Sequence, residues 1–211
     1  MAGPFATPRR RALFLGALVA VFALVIGYLG GLLAPSLNTP GDNSAEAGFA
    51  RDMSTHHAQA VEVAMIAWQR ATDPEVKEVA YDIATGQENQ IGTMQTWLTD
   101  WHLSPNGTQP KMAWMPGGAK ELLPDGRMPG MATTDEITQL RNATGKAEDI
   151  LFCQLMLRHH LGGIHMVSAL LDLTHNSTVT DLATGMRNTQ QNEVSQLRKK
   201  LTDLGAQPLG A

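Results

Sequence analysis

The sequence predicts an all-α protein, a four-helix bundle built from a duplicated helical hairpin and preceded by one transmembrane helix. Three observations predict it. Apolar residues recur at helical spacing while strand-like alternation is nowhere sustained. The chain matches itself at an offset of 103 residues, and a 23-residue run without charge, Ala12–Ala34, lies near the N-terminus. With 211 residues, 43% hydrophobic and 17% charged, the chain fills one globular domain with extras.

The first element is the apolar run. At about 1.5 Å per residue it exceeds the roughly 30 Å hydrocarbon core of a bilayer. Arg9, Arg10 and Arg11 precede it, so residues 1–11 are expected inside the cell, 12–34 in the membrane and the rest outside. A cleaved signal peptide is the competing reading, but its apolar stretch usually runs about 7–15 residues, and Pro35 follows the small residue Ala34. The expectation is a single-pass anchor in the cell membrane with an extracytoplasmic C-terminal domain. Gly27 and Gly31 form one GxxxG match, a hint of a homodimer, and an envelope protein is the other partner considered. Residues 35–45, PSLNTPGDNSA, read as a flexible tether.

The exported part keeps 13 of the 16 basic residues against all 20 acidic ones, about −7, which excludes nucleic-acid binding through a basic surface. Cys153 is the only cysteine, so an intrachain disulfide, a cysteine zinc site and a CxxC redox pair are excluded. Eleven methionines and seven histidines stand against 5% aromatics, a composition rich in soft and borderline metal ligands.

The self-match lays FARDMSTHHAQAVEVA, from Phe49, on FCQLMLRHHLGGIHMV, from Phe152, so that Phe, Met and His-His coincide. The same ungapped register lays QENQIGTMQTWL, from Gln87, on QQNEVSQLRKKL, from Gln190. Copy one spans 46–103, a methionine-rich crossover 104–148 and copy two 149–205.

In copy one, Phe49, Met53, Ala60, Ala64 and Trp68 form one apolar helix face. Asp73-Pro74 supplies an N-cap and first-turn proline for a second helix lined by Val76, Ala80, Ile83, Ala84, Ile91, Met94 and Leu98. Copy two repeats the plan over about 145–173 and, capped by Asn176 or Ser177, about 179–204. In the crossover, Thr133 with Glu136 is a capping box that starts a short helix reaching Asn142. Two such hairpins bury their apolar faces most readily against each other.

The candidate site follows from the helical wheel. With Met53 central, His57 lies about 40° to one side, His56 about 60° to the other and Glu46 about 20° away. Copy two presents Asp149, Met156, His159 and His160 in the same arrangement, and Gln87 and Gln190 point inward on the partner helices. A metal site fits paired imidazoles, thioethers and acids on one stripe; a buried structural polar network fits them too. Imidazole must lose its proton to coordinate, so a Met and His site is expected to weaken as pH falls through about 6.5.

His165 is expected in solvent, and His102 and His175 at helix ends, where imidazole caps carbonyls. Met112 with Met115 and Met128 with Met131 form a possible second site suited to Cu(I), or else fill gaps where the crossover covers the bundle. Trp114 reads as a packing anchor.

The Met-x-x-His-His motif in both halves, QENQIGTMQTWL and the MPGM stretch resemble the DUF305 family of exported bacterial proteins over about residues 45–204. The resemblance implies a ferritin-like four-helix bundle and copper handling, since some members are associated with copper binding and tolerance. Family members commonly carry Asp where this chain has Glu46. A di-iron oxidase, the rival that ferritin-like architecture raises, needs Glu-x-x-His motifs, which are absent, and the inward partner positions are the neutral Gln87 and Gln190. GxSxG, HExxH and P-loop motifs are also absent. The expectation is a non-enzymatic protein that binds copper, with Cu(I) favoured, for sequestration or delivery. The alternative is a structural or interaction domain of the cell envelope with a buried histidine network.

Overall fold

A computed structural model describes residues 8–37 and 39–209. Among them are six α-helices, one 3-10 turn at Gly118–Lys120 and no strand. The chain divides into two units, Met1–Pro40 and Gly41–Ala211.

The first unit holds α1, Pro8–Leu37. An 18-residue window within its Pro8–Gly31 stretch has a mean hydropathy of 2.6 and buries none of its residues within the protein, as suits a membrane span or a signal sequence. The helix starts at the arginines and continues through Pro35, so part of the expected tether is helical. It stops short of Thr39-Pro40, where a residue preceding proline is driven out of the α region.

The second unit is built from α2 (Ala45–Arg70), α3 (Pro74–Asp100), α4 (Thr134–Asn142), α5 (Lys146–Leu173) and α6 (Ser177–Asp203). Local chemistry sets the boundaries. The Ser44 side chain accepts from the Ala47 amide, and that of Asp73 from the Glu75 and Val76 amides with Pro74 in the first turn. Asn176 caps α6, and the Thr133–Glu136 capping box is formed in both directions.

The second unit pairs α2 with α3 and α5 with α6, and the two hairpins meet along α2 and α5. Phe49, Met53, Ala60 and Ala64 are buried as expected, and so are all seven α3 residues named from the sequence. Trp68 is a correction. It is 41% exposed and packs on Tyr81, because by residue 68 the face begun at Phe49 has drifted about 100° around the helix.

Close approach of the crossover to α5 depends on two glycines. A Cβ on Gly162 would lie 2.1 Å from the Pro129 carbonyl oxygen. Gly130, at φ +85°, turns the chain over the His159 backbone. The crossover is thereby seated against the backbone of α5 at His159 and Gly162.

Candidate metal centre

Where α2 and α5 meet, the His56 and His159 rings lie 3.8 Å apart between centroids, tilted by 37°. Each spends one nitrogen on backbone. His159 Nε2 donates to the His56 carbonyl at 2.9 Å, and His56 Nε2 to the Pro129 carbonyl at 3.1 Å. His57 and His160 turn toward the partner helices of their own hairpins. His57 Nε2 meets Gln90 Oε1 at 2.8 Å, and His160 Nε2 donates to Glu193 Oε2 at 2.7 Å. The opposite nitrogens, His57 Nδ1 and His160 Nδ1, are buried without a hydrogen-bond partner.

All four histidines are buried. Burial, as the largest cause, holds His56 down at about 4, His57 at about 3 and His159 well below the ordinary imidazole range. Neutral imidazole is the form with a lone pair to give to a metal. Burial also corrects one expectation: proton competition at His56 and His57 belongs well below pH 6.5.

Met53 and Met156 are both fully buried, but in different company. Met53 belongs to a sulfur-rich cluster with Met94, Met112, Met115, Met128, Met166 and Met186. Met156 lies among Phe152, Cys153, Leu155 and alanines of α2 and α3. Met131 is half-buried against the first cluster. Trp114 is anchored there too, edge-on to Phe49 at 5.6 Å with its indole donating to Asp52 at 2.9 Å.

The acids lie apart from the histidines. Asp149 accepts from the Thr72 amide at 2.9 Å, the Thr72 hydroxyl at 2.7 Å and the Asp73 amide at 3.3 Å, tying α5 to the loop between α2 and α3. Glu46 accepts from the Thr174 hydroxyl at 2.6 Å, the pseudo-symmetric tie from α2 to the loop between α5 and α6. Among the described residues, no three His, Cys, Asp or Glu side chains converge as a set that could hold a metal. His165 is exposed and bonded to Glu121, and His102 and His175 are exposed beyond their helix ends.

Sequence reasoning missed Gln90, Glu193 and Pro129 as histidine partners, and Gln59, whose side chain clamps the Ala132 amide and carbonyl. A signal for two of them was present: the 103-residue register that pairs His57 with His160 also pairs Gln90 with Glu193. Gln87 and Gln190 are buried as expected, with both polar atoms of Gln87 and Oε1 of Gln190 unpartnered.

The sequence model of a domain of unknown function, DUF305, matches residues 46–201. The chain belongs to the DUF305 family. The match covers both Met-x-x-His-His motifs and the crossover between them.

Solved DUF305 structures share the fold. One, described as a secreted protein from Streptomyces coelicolor, is 39% identical with a TM-score of 0.73, covering 81% of this chain and 100% of its own. A DUF305 fragment from Deinococcus radiodurans is 28% identical with a TM-score of 0.61, covering 76% and 95%. CopM in its Cu(II)-bound form is 26% identical with a TM-score of 0.58, covering 76% and 97%. Nothing among curated protein sequences matches the chain.

Proposed function

We propose that this DUF305 protein is a membrane-anchored, extracytoplasmic copper-binding protein, a four-helix bundle that sequesters or delivers Cu(I) and is not an enzyme. The observation that carries the reading is the pair of buried, unpartnered nitrogens, His57 Nδ1 and His160 Nδ1, each four residues along its helix from a buried methionine. Neutral imidazole with thioether suits Cu(I), which accepts soft ligands in small number. The copper-bound state of CopM supports the choice of metal.

In this reading Met53 with His57, and Met156 with His160, supply the ligands. Each pair forms its own site; His56 and His159 pack between the two, and Glu46 and Asp149 tie the helix ends to the loops. Met112, Met115, Met128 and Met131 form a second, thioether-only set, supported by the burial of the first three with Met53. Export rests on α1, and retention in the membrane on the length of its apolar run.

One observation favours a purely structural reading: His56 and His159 each bond a backbone carbonyl, as members of a buried polar network do. Metal analysis and anaerobic Cu(I) titration of the full chain, purified without a histidine tag, separate the two. Copper bound in the wild type and reduced in a His159→Ala, His160→Ala variant supports the site. Wild-type copper binding in that variant, with lowered thermal stability, makes the histidines structural.

A further inference from the structure

The two halves differ at one telling position. His57 and His160 are equivalent in the repeat, and so are the residues that hold their Nε2 atoms, yet copy one uses the amide of Gln90 and copy two the carboxylate of Glu193. The contacts are equally short, 2.8 and 2.7 Å. Both partners line a groove of about 310 Å³ between α3 and α6, and both are 33 residues beyond their histidine.

The chemical consequences differ. A carboxylate only accepts, so His160 must carry its proton on Nε2, which leaves the lone pair on the buried and unpartnered Nδ1. An amide offers both a carbonyl and an NH2 group and rotates between them, so Gln90 permits His57 to be protonated on either nitrogen. The carboxylate also makes its imidazole more electron-rich and adds one negative charge beside the place where a cation would sit.

We propose that Glu193 is a positioning residue that fixes the His160 tautomer with Nδ1 free, making the second half the tighter of two unequal Cu(I) sites. The proposal rests on the copper-binding reading above.

The test uses the full chain in detergent, with two readouts. Histidine-selective 15N NMR of the metal-free protein reports the tautomer, and competition of Cu(I) against a chromophoric chelator reports affinity. We expect His160 wholly in the Nε2–H form and, beside any binding by the thioether-only set, two histidine-dependent events of which His160→Ala removes the tighter and His57→Ala the weaker. Glu193→Gln, which keeps size and hydrogen bonding, is expected to mix the His160 tautomers and weaken the tighter event by about 10-fold or more. Gln90→Glu is expected to fix His57 in the Nε2–H form and bring the weaker event up toward the tighter. A merely structural contact would leave both tautomer signals unchanged. Unaltered tautomer and affinity in Glu193→Gln, or a tighter event that survives His160→Ala, overturns the inference while copper binding stands. Absence of Cu(I) binding in the wild type overturns the copper reading and the inference with it.

Discussion

Glu148 is fully buried, with neither carboxylate oxygen bonded. Burial, and then the charge of Asp149 beside it, push its carboxyl up to about 7. The fold therefore favours the protonated form. Its contribution is complete below the ordinary carboxyl value near 4.5 and is lost as pH rises through about 7. Glu148→Gln is expected to stabilise the protein by about 1–3 kcal/mol at pH 8 and to have no such effect at pH 4, as measured by urea unfolding.

His56, His57 and His159 act in the opposite sense. Their neutral forms are favoured by the fold, so stability is complete above the free imidazole value of 6.5 and falls with pH toward about 4 for His56 and about 3 for His57. In the Glu148→Gln background, urea midpoints are expected to decline steadily as pH falls below 6.5. The proposed Cu(I) affinity of the first half, by contrast, is expected to stay level from about pH 7 to about pH 5, since burial keeps His57 neutral throughout that range. A steep loss near 6.5 in a Cu(I) titration would contradict the burial of this imidazole.

The junction of the crossover with α5 depends on backbone contact, which side-chain movement cannot relieve. Gly162→Ala would push a methyl group into the Pro129 carbonyl, displacing the loop that seats the His56 bond. A loss of about 1–3 kcal/mol is expected in thermal or urea unfolding. At the neighbouring Gly163, a methyl group would meet the end of the Gln190 side chain at 2.6 Å, which can rotate away, so Gly163→Ala is expected to cost less. The two hairpins are also pinned by exchanged acids. Asp149→Ala removes three bonds to the loop between α2 and α3, a cap-like loss of about 1–2 kcal/mol, whereas Glu46→Ala removes one bond to Thr174.

For the molecule as a whole, the decisive question is whether α1 stays attached. Its apolar stretch is long enough to remain in a bilayer, and the three arginines at its start favour an inside N-terminus. Membranes carrying the protein are expected to retain it through alkaline carbonate washing, with the C-terminal domain open to protease from outside. A soluble product beginning near residue 35 would establish cleavage instead.

The helices, their caps and the internal repeat were legible in the sequence because each follows from local chemistry. Asp73-Pro74, Thr133 with Glu136, and the period of Val76 to Leu98 act within a turn or two of themselves. The matched histidines were legible from the ungapped 103-residue register, which fixes their spacing. What the sequence could not show was where each side chain spends its hydrogen bonds. Helical-wheel geometry put Glu46 and Asp149 on the histidine stripe, but both stand in the first turns of their helices, where Thr174 and Thr72 of the other hairpin engage their carboxylates. Only packing decided that the crossover methionines join the core around Met53, because a loop without periodicity has no preferred face of its own. Tertiary burial likewise turned four ordinary imidazoles into enclosed ones, and left two Nδ1 atoms without a partner, since desolvation depends on every element packed around them and not on their neighbours along the chain.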